Sequence, residues 1–160
     1  MKKLSHYDES GRARMVDVSS KPETFRTAHA QAFVLIRPSV LRRLADNPKG
    51  NPLEVARIAG IAAAKRTADL IPMCHPLMLT HVDVEARTLK RGVRIVSSVA
   101  TTASTGVEME ALTAAAVAAL TVYDMTKALD KSIEIQDLCL LEKTGGASGD
   151  FRRRVRSMHK

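Results

Sequence analysis

An alanine-rich run near the middle of this 160-residue chain constrains its fold more than any other segment. The run follows Thr105-Gly106-Val107-Glu108, which has the spacing of a capping box, the pattern in which a Thr hydroxyl and a Glu carboxylate close the first turn of a helix. Ala, Leu and Val then dominate, without a Gly or Pro, to about Leu129. We therefore predict one long and largely buried helix, against which the other elements must pack.

Alternating apolar residues predict the strands. These segments are residues 14–18, 27–36, 81–86, 93–99 and 132–140, with a hairpin through Gly92 and a bulge around Gln136-Asp137. Helical spacing predicts a short helix from Pro38 and a longer one over residues 53–70, before Pro72. The order of strand, helices, two strands, helix and strand is that of an α+β, ferredoxin-like split βαβ fold. We expect an antiparallel sheet with helices on one face, extended by an extra N-terminal strand over residues 14–18.

The net charge of +8 does not point to a nucleic-acid-binding protein. Residues 151–160 hold five of the 25 basic side chains and no acidic one, so residues 1–150 carry a net charge of only +3. Stacking on single strands also needs aromatic side chains, and the chain has no Trp and few Tyr or Phe. We predict one domain over residues 1–150 with a basic tail over 151–160. The absence of a secretory leader and of a membrane-spanning apolar run predicts a cytoplasmic protein.

Charged residues stand near both ends of the predicted long helix. Glu108 and Glu110 lie at its start, and Asp124 and Lys127 lie near its end. Each has a structural explanation, since acids stabilise a helix N-terminus and Asp124 with Lys127 can form an i,i+3 pair. Sixteen residues correspond to ~24 Å along a helix. Both ends can therefore serve one small ligand only if the site lies between subunits of a symmetric oligomer.

Other candidate residues lie in Pro- and Gly-rich loops. His75 follows Met73-Cys74 between two prolines and suits acid–base or hydrogen-bonding chemistry, although a structural histidine is the alternative. Cys74 and Cys139 lack the spacing of a zinc site. Lys49 precedes Gly50 in a turn-rich loop and can swing over a ligand, or simply be solvated. Lys143, before the Gly-rich residues 145–149, can meet an anion. These residues indicate an oligomeric small-molecule site.

Four blocks together resemble the cyclic pyranopterin monophosphate synthase family, the MoaC proteins of molybdenum cofactor biosynthesis. They are MVDVSSKPETFRTAHA (15–30), ARIAGIAAAKRTADLIPMCHPL (56–77), TGVEMEALTAAAVAALTVYDMTKA (105–128) and GGASGDF (145–151). The resemblance implies a lyase that converts (8S)-3',8-cyclo-7,8-dihydroguanosine 5'-triphosphate into cyclic pyranopterin monophosphate and pyrophosphate. It also implies a homohexamer, a trimer of dimers with active sites at the dimer interface, and neither a nucleic-acid nor a membrane partner.

The resemblance also implies roles for individual residues. Asp124, Lys127 and Lys49 correspond to the catalytic residues. The expected substrate-binding residues are Met73, Cys74, His75, Glu108, Met109, Glu110, Arg26 and Lys143. No metal ligand and no resident cofactor are expected, and magnesium is compatible with a triphosphate substrate. The chain departs from the family by having Ser104 and Ala147 where lysines are common. A nucleotide-sensing or scaffold module without turnover is the alternative function.

Overall fold

In a computed structural model, which describes residues 6–154, five strands and four helices follow one another along the chain. They are β1 (Thr24–Leu35), α1 (Pro38–Leu41), α2 (Pro52–Ala64), α3 (Thr67–Leu70), β2 (Leu79–Leu89), β3 (Gly92–Ala103), α4 (Glu108–Thr126), β4 (Glu134–Thr144) and β5 (Phe151–Arg152). None of the helices within residues 6–154 combines the length and apolar character that a membrane span requires.

The strands form a single antiparallel sheet in the order β2-β3-β1-β4-β5. The four long strands have the arrangement of a ferredoxin-like fold, which confirms the predicted fold class. Central strand β1 pairs with β3 along its whole length, from Thr24 opposite Ala103 to Leu35 opposite Gly92. The hairpin between β2 and β3 turns at Lys90-Arg91, directly before Gly92, as predicted.

Small side chains let α4 lie close to the sheet. On the helix-facing side of β1, Ala28, Ala30 and Ala32 have no exposed surface. The buried side chains of α4 are equally small, with five fully buried alanines: Ala111, Ala114, Ala115, Ala118 and Ala119. The Ser97 hydroxyl of β3 donates to the Ala111 carbonyl at 2.7 Å, which links helix to sheet by a buried hydrogen bond. The helices thus cover one face of the sheet, as expected for the predicted α+β fold.

The predicted extra strand at residues 14–18 is wrong. The segment forms no strand, and its side chains are exposed or only partly buried, so its weak alternation has no buried face to stabilise a pairing. The fifth strand comes from the basic tail instead, where Phe151 and Arg152 pair with Lys143 and Glu142 of β4. The predicted helix over residues 53–70 is interrupted at Lys65-Arg66, which separates α2 from α3.

The predicted bulge in β4 is confirmed. The pairing of β1 with β4 shifts register between Gln31 and Phe33, where Ala32 is opposite two residues of β4. Asp137 lies in this bulge with a φ of 53°, the left-handed region in which Asp is better tolerated than most residues. The bulge therefore accounts for the change of phase in the alternation of apolar and polar residues along β4.

Helices α2 and α4 approach each other at Gly60. A Cβ atom at this position would lie 2.8 Å from the Ala114 carbonyl oxygen and 3.1 Å from a Val84 methyl group. We expect Gly60→Val to lower the free energy of unfolding by about 1–3 kcal/mol, because the buried backbone cannot move aside without repacking. Urea denaturation would measure this loss. Ala62→Val, at an exposed position of the same helix, is the control; an equal loss in both variants would contradict the close approach.

Candidate active site

The predicted site residues form two groups at opposite ends of α4. Glu108, Met109 and Glu110 lie in the first turn, whereas Asp124 lies in the last turn and Lys127 is the C-cap residue. A continuous helix places Glu108 and Asp124 ~24 Å apart along its axis. The structure therefore brings together the members of each group, but it does not bring the two groups together within one chain.

A cavity of about 380 Å³ lies at the N-terminal end of α4. Its walls include the predicted residues Met73, Cys74, His75, Glu108, Met109 and Glu110. This volume lies within the range of small-molecule sites. The loop that carries Cys74 and His75 leaves α3 at Ile71, where Pro72 prevents further helix, and the Cys74 amide donates to the Ile71 carbonyl at 3.0 Å.

The chain segment before β1 completes this cavity, and no sequence motif predicts that this segment belongs to the site. Val16, Val18 and Lys21 line the wall, as does His6. The alternating pattern of residues 14–18 predicts sheet pairing, so the sequence alone does not place Val16 and Val18 at a cavity. Lys21 adds a positive charge at a site that already contains two carboxyl groups, Glu108 and Glu110.

Glu108 does not form the predicted capping box. The N-cap residue of α4 is Val107, which has no side-chain cap, so Thr105 does not cap the helix. The Glu108 carboxylate instead lies against Gly106, where a Cβ atom would collide with it, and pairs with the Lys143 ammonium at 3.3 Å. Both side chains of this pair are largely buried, which favours the ion pair over a solvated cap.

Lys143 and Arg26 lie at the Gly-rich segment rather than in the cavity wall. The Lys143 ammonium donates to the Ser148 hydroxyl at 2.5 Å, in addition to its pairing with Glu108. Arg26 donates through Nε to the Ala103 carbonyl at 2.9 Å, and its guanidinium covers Gly146, where a Cβ atom would overlap it. The two predicted cations thus flank the Gly-rich segment, and Lys143 connects it to the cavity through Glu108.

Glu110 is the buried acid of this end of the helix. Only 4% of its surface is exposed, and burial raises the pKa of its carboxyl group to about 7, with the nearby Glu108 charge acting in the same direction. Burial, followed by the charge of Glu110, also raises the pKa of the Cys74 thiol. Cys74 is therefore a neutral thiol at neutral pH rather than a thiolate nucleophile.

At the other end of α4, Asp124 and Lys127 form an exposed ion pair. The Lys127 ammonium lies 2.6 Å from the Asp124 carboxylate, and half or more of each side chain is exposed. Although most of α4 is buried, this pair therefore lies at the surface of the single chain. The hydrogen bond between them raises the pKa of Lys127 and lowers that of Asp124. Lys127 is consequently protonated at neutral pH.

The loop between α1 and α2 brings Lys49 to this pair. The Asn47 side-chain amide donates to the Met125 carbonyl at 2.8 Å, and its oxygen accepts from the Lys49 backbone amide at 2.9 Å. The positive charge of Lys49 contributes to the lowered pKa of Asp124. Asn47 thus fastens the loop to the end of α4, a role that its place before Pro48 in a turn-rich segment did not reveal.

Residues 6–154 contain no cluster of three or more His, Cys, Asp or Glu side chains that could hold a metal ion. Cys74 and Cys139 are both free thiols. The side chains that the candidate site offers for chemistry include lysine, carboxyl, imidazole and thiol groups.

Residues 15–146 match the model of the MoaC family. The chain is 58% identical to the cyclic pyranopterin monophosphate synthase of Roseiflexus sp. (strain RS-1), over 94% of this chain and 98% of the relative. It is 55% identical to the protein of the same name from Parvibaculum lavamentivorans, over 94% and 97% of the two chains. The corresponding protein of Thermomicrobium roseum is also 55% identical, over 96% of this chain and 95% of its own length.

The buried Glu110 predicts a pH dependence of stability. Because its pKa in the folded protein lies above the ordinary value of 4.5, the folded state binds more protons than the unfolded state between pH 4.5 and about 7. The free energy of unfolding should fall as the pH rises through this window, by roughly 3 kcal/mol in total, and then level off. The Glu110→Gln variant should not show this decrease in the free energy of unfolding. Urea denaturation at fixed protein concentration would measure it, and identical pH profiles for both proteins would contradict the assignment.

Proposed function

The chain belongs to the MoaC family, and we propose that it is a cyclic pyranopterin monophosphate synthase of molybdenum cofactor biosynthesis. Its substrate would be (8S)-3',8-cyclo-7,8-dihydroguanosine 5'-triphosphate, and its products cyclic pyranopterin monophosphate and pyrophosphate. The observation that carries the proposal is the similarity to synthases of that name over nearly the whole chain. A catalytic domain over residues 1–150 and a cytoplasmic location remain predictions.

Asp124, Lys127 and Lys49 are the proposed catalytic residues. The reaction opens a purine-derived ring and closes a cyclic phosphate, and both changes move protons. The Asp124 hydrogen bond keeps Lys127 protonated, so Lys127 enters the reaction as a general acid. Lys49 lies in a loop fastened by Asn47 and can supply a second ammonium as negative charge develops on the departing pyrophosphate.

The N-terminal end of α4 is the proposed substrate-binding region. His75, Met73, Cys74 and Met109 would surround the pterin-forming part of the substrate in the cavity of about 380 Å³. Glu110 would contribute a carboxyl group whose pKa of about 7 leaves part of it protonated near neutral pH, and the protonated form can donate a hydrogen bond. Arg26 and Lys143 would bind the triphosphate, with Lys143 exchanging its Glu108 partner for phosphate oxygens.

We further propose that each active site is shared between two chains of a homohexamer built as a trimer of dimers. The argument is geometric, since ~24 Å of rigid helix separates the two groups in one chain. A twofold axis across α4 would place the C-terminal end of one helix beside the N-terminal end of another. Leu120 supports this placement, because it lies on α4 between the two groups and is 55% exposed.

Loss of the Asp124 carboxylate tests the catalytic role. We expect Asp124→Asn to reduce turnover by at least about 100-fold, since it removes the carboxylate that holds the Lys127 ammonium in position. Pyrophosphate release and formation of the cyclic monophosphate would be followed together. Glu54→Gln is a matched control, because Glu54 and Arg57 form an exposed i,i+3 pair of the same kind in α2.

Full turnover by Asp124→Asn would contradict this role. A wild-type oligomer that binds the triphosphate without converting it would instead indicate a nucleotide-sensing module.

Mixed oligomers test the shared site. We expect Asp124→Asn and His75→Asn to be nearly inactive alone, and their 1:1 mixture after subunit exchange to recover about a quarter of wild-type turnover, because half of the dimers then contain one intact site of two. Turnover of the mixture would be compared with that of unmixed proteins at equal concentration. A mixture no more active than its components, with exchange verified by mass spectrometry, would contradict a site shared between chains.

A further inference from the structure

A second cavity lies on the face of the sheet that the helices leave open. Its volume is about 550 Å³, and its wall shares no residue with the candidate active site. Gln31 of β1 and Arg94 of β3 form part of it, and both alternate with residues buried beneath α4. The sheet therefore lies between this cavity and helix α4.

Four arginines line this cavity: Arg94, Arg152, Arg153 and Arg154. The last three belong to the basic tail, which the proposed function leaves without a role. Two acidic residues, Asp137 and Glu142, share the wall, so the lining has an excess of two positive charges at neutral pH. Such an excess around a concave surface attracts anions.

The arginine-rich segment is held in place by hydrogen bonds. The Arg153 backbone amide donates to the Leu141 carbonyl at 2.7 Å, and its Nε donates to the Leu140 carbonyl at the same distance. Arg152 lies in β5 and contacts the Glu142 carboxylate at 3.4 Å. The tail thus continues the sheet at this point, and the hydrogen bond from Nε holds the Arg153 guanidinium at the border of the cavity.

Arg94 is oriented by a buried polar partner. Its Nη2 donates to the side-chain oxygen of Gln31 at 3.2 Å, and Gln31 is only 7% exposed. This contact uses one of the five N–H donors of the guanidinium. The planar Arg94 guanidinium therefore keeps further N–H donors, which can form two parallel hydrogen bonds to two oxygens of one phosphate.

The bulge of β4 shapes the remaining wall. Asp137 lies there with a φ of 53°, and within residues 6–154 no other residue except glycine has a positive φ. Backbone strain of this kind is concentrated at functional sites. Beside it, Leu138, Cys139 and Leu141 give the cavity an apolar side.

We propose that this cavity is a second ligand site, which binds a small molecule carrying two or more phosphate groups. The arginines would hold the phosphates, and the apolar side of the wall fits the body of a nucleoside polyphosphate. The volume lies within the range of small-molecule sites. The inference goes beyond the proposed synthase activity and does not depend on it.

Binding of ATP and of inorganic tripolyphosphate to the full-length oligomer, measured by titration calorimetry, tests the proposal. We expect Arg94→Gln and Arg154→Gln each to weaken ATP binding at this site by about tenfold, the loss of one charged hydrogen bond. Arg87→Gln is the matched control, since Arg87 is an exposed arginine paired with Glu85 on β2 and lies outside the cavity. Arg154 is exposed, so its replacement should leave the thermal transition unchanged.

Lys143→Gln separates this site from the candidate active site. ATP binding that survives Lys143→Gln but weakens in Arg94→Gln supports the proposal, and tighter binding of ATP than of tripolyphosphate assigns a nucleotide as the ligand. Equal affinity for ATP and for tripolyphosphate assigns a free polyphosphate anion as the ligand. Failure of both probes to bind, or loss of all binding in Lys143→Gln alone, would overturn the proposal. Synthase turnover, measured separately, should be the same in Arg94→Gln and the wild type.

Discussion

Close packing of alanine against alanine between α4 and the sheet is the contact on which the rest of this structure depends. Ala30 and Ala32 of β1 lie beneath α4, whose buried alanines include Ala111 and Ala115, and all four have no exposed surface. Side chains this small give little apolar area each, so the contact stabilises the fold through dense packing over the whole length of the helix. A larger side chain at any of these positions would lift α4 from the sheet.

The same packing fixes the two charged ends of α4 relative to each other. A helix held along its length cannot bend to bring Asp124 towards Glu108, so the two groups retain different environments. At one end, burial raises the pKa of Glu110, and at the other, an exposed hydrogen bond raises that of Lys127. A reaction that uses both environments would take them from two chains, and under the proposed function oligomerisation is therefore part of the catalytic mechanism.

The sequence predicted the features that depend on periodicity and breakers. The long helix, the hairpin at Gly92 and the bulge at Asp137 are all confirmed, because each produces a local pattern. Features that depend on distant partners were not predictable. Thr105 with Glu108 has the spacing of a capping box, yet Lys143, far along the chain, captures the Glu108 carboxylate. Residues 14–18 alternate but form no strand, and the contribution of Val16 and Val18 to the cavity appears only in three dimensions.

The central claim is that the chain is a synthase whose active site exists only in the oligomer. Turnover of the 3',8-cyclo triphosphate per chain, measured over a dilution series together with the oligomer distribution by mass photometry, tests this claim most directly. The account predicts that turnover per chain falls in parallel with the fraction of chains in dimers or larger assemblies. Undiminished turnover in a solution of single chains would contradict it.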